Sequence, residues 1–92
     1  MKIAFDVHGT ILRDTKNETQ AIVELIKILK KAGHYIIVWS SDDVQDTRIV
    51  VEELHIKKFV DSVISKMDIK EWPDIAFDDN QFPFSKMATI KV

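Results

Sequence analysis

Short apolar runs alternate along this chain with longer stretches in which apolar positions recur every three or four residues. Residues 3–7 read I-A-F-D-V and are closed by Gly9, a pattern that predicts a buried strand. The T-K-N-E run at 15–18 matches a capping box, a hydroxyl followed three residues later by a glutamate. Ile22, Leu25, Ile26 and Leu29 then hold helical spacing, and Gly33 ends the helix. Residues 34–39 contain Y-I-I-V-W without polar alternation, which predicts a strand covered on both faces, as in a parallel sheet. Ser41 and Asp42 offer capping side chains for a second helix over 44–54, with Val44, Arg48, Val51 and Leu54 near one stripe. Val63 and Ile64 predict a short third strand, followed by Ser65 and Lys66. Trp72-Pro73 breaks the chain, residues 75–77 form a fourth strand ending at Asp78 and Asp79, and residues 88–92 form a fifth.

Strand and helix units that alternate in this way imply parallel strands joined by right-handed crossovers. The expected fold is a Rossmann-like α/β three-layer sandwich with a mainly parallel sheet. With 92 residues and no repeat, low-complexity run or linker, the chain is expected to be a single domain over 1–92. A hydrophobic share of 46% suits a packed core. Thirteen basic against 15 acidic side chains give a formal charge of −2, which argues against general nucleic-acid binding. Lys57, Lys58, Lys66 and Lys70 could share a basic face, although such lysines usually belong to solvated surface. The absence of cysteine excludes disulfides and thiolate metal sites. No signal-peptide pattern opens the sequence, and no apolar run reaches the roughly 20 residues of a membrane span. A cytoplasmic protein without a membrane partner is expected.

In open α/β sheets, ligands sit outside the carboxyl ends of the strands. Asp6, Ser40, Lys66 and the Asp78-Asp79 pair each fall at or just after such an end, so they should converge in space. Crowded carboxylates repel one another, and a hard divalent cation relieves that repulsion. An all-oxygen set with water favours Mg²⁺, which leaves positions for a phosphate oxygen. Lys66 would balance charge, and Ser40 would donate a hydrogen bond to phosphate. This is the equipment of phosphoryl transfer, which depends on positioning and electrostatics.

The same residues carry a family resemblance. F-D-V-H-G-T-I resembles motif I (D-x-D-G-T) of the haloacid dehalogenase superfamily, and W-S-S resembles its motif II. Lys66 resembles the motif III lysine, and A-F-D-D-N resembles the acidic pair of motif IV. The resemblance implies a magnesium-dependent phosphatase in which Asp6 attacks phosphorus and becomes a phospho-aspartate. It further implies phosphate binding by Ser40 and Ser41 with Gly9 and Thr10 shaping the turn, and stabilisation of the intermediate by Lys66. Metal ligands would come from Asp6, Asp78 and Asp79, with Asp79 favoured as the direct one, and from the backbone carbonyl of His8. His8 stands where the family's phosphatases carry a second aspartate, the general acid and base. Histidine can itself shuttle the proton near neutrality, or its presence can mark a weakened or inactive binding module.

Neither the segment between Asp6 and Ser40 nor that between Ser40 and Lys66 is long enough for a cap domain. An uncapped site admits a bulky or macromolecular phosphate and excludes water poorly. A homo-oligomer could supply a cover, with Phe82-Pro83-Phe84 as one contact, or that segment simply packs the last loop. Taken singly, each site residue also has a bland reading: Asp6 and Asp78-Asp79 as turn formers, Ser40 as a cap, Lys66 as surface. A response-regulator receiver uses similar groups, but there the acidic pair comes first and the lysine last, and here the acidic pair closes the series. His34 and His55 are expected to be structural or exposed, Trp39 to be core, and Trp72 to pack beside Pro73.

Overall fold

The computed structural model describes residues 1–80 and 85–92. Phe82-Pro83-Phe84, named above as a contact segment, lies outside the described residues. Among the described residues five strands form one sheet: β1 (Lys2–Asp6), β2 (Tyr35–Ser40), β3 (Ser62–Ser65), β4 (Ile75–Asp78) and β5 (Ala88–Lys91). Their order is β3-β2-β1-β4-β5, and every pairing is parallel. Two helices, α1 (Lys16–Lys31) and α2 (Val44–Glu53), link the first three strands. The order reverses beside β1, where β2 lies on one side and β4 on the other, and this is the switch point at which such sheets open a crevice.

Both helices pack on the same face of the sheet. Val23 and Ile26 of α1 and Val51 of α2 bury against Ile3, Phe5, Ile36 and Val38. Phe5 and Phe77 stack across β1 and β4 with centroids 4.8 Å apart, extending that core under the switch point. The opposite face is thinner. Ala4, Ile37, Trp39 and Ala76 form a small second core against Ile64 and Ile69, and the β3–β4 connection supplies its cover. Thus the third layer of the expected sandwich is a 3₁₀ turn (Lys66–Asp68) and an irregular segment, with no helix among the described residues. Trp39 is core, as its neighbours predict, and Trp72 meets it edge-on.

The helix ends explain where the sequence pattern held and where it slipped. Thr15 caps α1 as expected, accepting from the Glu18 amide at 3.1 Å while its hydroxyl donates to the Glu18 carboxylate. The cap of α2 is Asp43, which accepts from the Gln45 amide at 2.7 Å, and not Ser41 or Asp42. Three adjacent polar residues make the capping position ambiguous by one or two places, and only the turn out of β2 fixes it. The buried stripe of α2 shifts with it: Thr47 and Val51 face inward, and Arg48 is exposed.

Both helices end in the same hydrogen-bond pattern. Gly33 donates to Lys30 and His34 to Leu29 after α1; His55 donates to Glu52 and Ile56 to Val51 after α2. This is a Schellman ending, which requires a left-handed residue just past the cap. Gly33 fills that place in α1 at φ +95°, but in α2 it is His55, at φ +56°. A side chain there carries a backbone penalty that glycine avoids. His55→Gly should therefore stabilise the fold by about 0.5–1 kcal/mol, raising the thermal midpoint, whereas His55→Val should lower it.

Candidate active site

Asp6 ends β1 and Asp78 ends β4, on either side of the switch point, and Ser40 ends β2. Lys66 follows β3 directly. Its ammonium lies 2.9 Å from Asp6 Oδ1 and 2.8 Å from Asp78 Oδ2, so it joins the two strand ends. The other Asp78 oxygen accepts from the Asn80 amide at 3.0 Å. Asp78 is completely buried and both its oxygens are engaged. Asp79 is the most exposed of the three acids, and one carboxylate oxygen from each of Asp6, Asp78 and Asp79 falls within 4.8 Å of the others.

The turn after β1 is built to bring these groups close. Ile11 and Leu12 donate to the Val7 carbonyl, and Gly9 donates back to Leu12, folding the chain tightly over itself. Gly9 sits at φ +84°, and a Cβ there would stand 2.8 Å from the Asp79 carboxyl carbon. Position 9 thus needs glycine both for its backbone and for the approach of Asp79. Arg13 locks the turn by donating to the Gly9 carbonyl at 3.2 Å while pairing with Glu18 of α1. The buried Thr10 places its hydroxyl 3.4 Å from Asp6 Oδ2.

The electrostatics follow from this crowding. Burial pushes the Asp6 carboxyl up; Lys66 pulls it down, and Asp78 and Asp79 push it up again, leaving it above the ordinary carboxylate value. Burial pulls Lys66 down, but the hydrogen bonds and charges of Asp78 and Asp6 outweigh it, so the ammonium is held more firmly than usual. Three carboxylates face one ammonium and lack positive charge. The donor set is all hard oxygen, with Asp79 and one side of Asp6 not engaged by Lys66, and it suits a small hard divalent cation.

Ser40, buried at the end of β2, accepts from the Asp42 amide at 3.1 Å. Ser41, next to it, is exposed. The His8 side chain also stands outside the cluster, exposed, with Nε2 3.5 Å from Asp42 Oδ2. Asp42, expected as a helix cap, is therefore the partner of His8. Lys66 leaves the basic face considered for it and becomes the centre of the site. Two further residues beside Ser40, Asp46 and Thr47, line the neighbouring hollow and carry no sequence signal as site residues. Among the described residues no helix is long and apolar enough to cross a membrane.

The family model of haloacid dehalogenase-like hydrolases matches residues 3–67, which spans the turn after β1, the end of β2 and Lys66. No significant match to a curated protein or to a solved structure was found.

The charge deficit has a stability consequence. Because folding raises the Asp6 pKa, ionised Asp6 opposes folding at neutral pH, and this opposition fades as pH falls through its folded pKa. With chelator present at pH 7–8, Asp6→Asn should raise the thermal midpoint by a few degrees, on a scale of about 4–8 °C per kcal/mol for a domain this size. The advantage of the variant should shrink as pH is lowered through the raised pKa of Asp6, and calorimetry across pH checks both statements.

Proposed function

The chain belongs to the haloacid dehalogenase-like hydrolases, and on that premise we propose that it is a Mg²⁺-dependent phosphatase whose nucleophile is Asp6. The observation that carries this reading is the clamp of Lys66 across Asp6 and Asp78, with Asp79 brought alongside by Gly9. Hydrolases of this superfamily generally use Mg²⁺. Asp6 and Asp79 would hold the ion directly and Asp78 would support it, and the bound ion would neutralise the phosphate and polarise it toward attack.

An oxygen of Asp6 forms a bond to phosphorus as the ester P–O bond breaks, and the departing oxygen takes a proton. Water then attacks phosphorus, the acyl phosphate bond breaks, and phosphate and the Asp6 carboxylate are released. Lys66 and Thr10 fix the rotamer of Asp6, so attack begins from an oriented carboxylate. Lys66 also balances charge on the phosphorylated side chain, and Ser40 donates to a phosphate oxygen once substrate enters. His8 is the proton carrier, with Asp42 orienting its ring. Among the described residues no domain or helix caps the site, which supports access of a bulky or macromolecular phosphate to Asp6. A second reading, a binding module with weak or no turnover, draws on the single fact that histidine stands at position 8.

Release of phosphate from an aryl phosphate separates these readings. Turnover should require Mg²⁺ and fall by at least about 10³-fold in Asp6→Asn. His8→Asp, which restores the carboxylic acid–base of the family, should raise kcat by roughly tenfold. A folded protein with no release above the Asp6→Asn background supports the binding module instead.

A further inference from the structure

Arg13 closes the turn after β1 and is held on two sides by the opening turn of α1. Its backbone amide donates to the Thr19 hydroxyl at 2.9 Å, and its Nε donates to the Glu18 carboxylate at 3.2 Å. The other Glu18 oxygen accepts from the Thr15 hydroxyl, so the capping box fixes that carboxylate in turn. From this anchored position Nη1 donates to the Gly9 carbonyl, also at 3.2 Å. A guanidinium presents its donors in a rigid planar fork, so a partner held at Nε decides where Nη1 points. The side chain is 26% exposed, which keeps part of the fork out of water.

The Gly9 carbonyl belongs to the peptide that joins Gly9 to Thr10, and this peptide links two contacts of the carboxylate cluster. On one side the Asp79 carboxylate packs against the bare Cα of Gly9. On the other, the Thr10 hydroxyl stands 3.4 Å from Asp6 Oδ2. The amide end of the same peptide donates to the Val7 carbonyl at 3.3 Å. Glycine at φ +84° restrains its own torsions little, so the plane of the peptide depends on what holds its two polar ends. Arg13 holds one of them.

We propose that Arg13 is a positioning residue for the metal site: by fixing the peptide between Gly9 and Thr10 it sets the placement of Asp79 relative to Asp6, and with it the affinity for Mg²⁺. The inference rests on the Mg²⁺ reading above and adds to it a residue that acts only through that peptide. Groups that orient metal ligands from outside typically change affinity by about 10–100-fold when removed. Lysine would keep the charge at position 13, but a single ammonium on a flexible stem cannot reproduce the fork between Glu18 and Gly9.

Calorimetric titration with Mg²⁺ tests this, with the thermal midpoint of each protein measured alongside in chelator. Arg13→Ala should weaken Mg²⁺ binding by about tenfold, and Arg13→Lys by roughly threefold. His55→Val, at the far end of α2, is the control for stability alone: its midpoint should fall while its Mg²⁺ affinity stays at the wild-type value. Wild-type affinity in both Arg13 variants, whatever their midpoints, overturns the positioning role and leaves the Mg²⁺ reading standing. An equal loss of affinity in His55→Val overturns it too, because the effect would then follow stability. If Arg13→Ala does not fold, Arg13→Lys decides by itself. Failure of the folded wild type to bind Mg²⁺ overturns the Mg²⁺ reading and this role with it.

Discussion

One ammonium holds the functional end of this sheet together. Lys66 leaves β3 at the edge of the sheet and reaches Asp6 on β1 and Asp78 on β4, on both sides of the switch point. Without that cation, two buried carboxylates would face each other at adjacent strand ends with nothing to offset their repulsion. With it, Asp78 is fully satisfied, Asp6 is oriented, and the remaining negative charge is concentrated on Asp6 and Asp79. The fold therefore tolerates a charge-deficient cluster because one lysine supports it, and the negative charge that remains suits the cluster to a hard divalent cation. Removing Lys66 would disturb stability and chemistry at once, since the same contacts serve both.

The distribution of the core follows the same logic. Both helices bury one face of the sheet, and the stacked Phe5 and Phe77 carry that core beneath the strand ends. The other face has only a small cluster around Trp39, covered by the connection that begins at Lys66. The Lys66 ammonium lies 5.9 Å from the centre of the Trp39 ring, so the thin face and the active-site cation are in contact. Changes in that connection should reach the site through this lysine. A well-packed helical face and a lightly covered one thus flank the strand ends that carry the cluster.

Much of this was legible in the sequence for definite reasons. Strand ends are marked by the passage from apolar to polar residues, which places Asp6, Ser40 and Asp78-Asp79 at the same edge of the sheet. The Thr15 capping box and the Gly33 stop are local signals, and local geometry obeys them. What depends on rotation about a helix was not legible. Asp42, Asp43 and Ser41 all qualify as caps by composition, and the choice of Asp43 turned α2 so that Thr47 faces inward and Arg48 outward. The hollow beside Ser40 depends on that turn, so no linear pattern announces it. His55 in a left-handed conformation was likewise hidden, because the residue expected there is glycine. The contact of His8 with Asp42 joins two loops distant in sequence and needs the sheet order to bring them together.

The central claim is that Asp6 becomes covalently phosphorylated, and trapping that adduct tests it most directly. The protein would be quenched in acid during turnover of an aryl phosphate with Mg²⁺, and its peptides read by mass spectrometry with and without borohydride reduction. The account predicts a phosphoryl group on Asp6 that depends on Mg²⁺, is removed by reduction of the acyl phosphate, and is missing from Asp6→Asn. Phosphate release with a label on another side chain, or with full activity retained in Asp6→Asn, would contradict it.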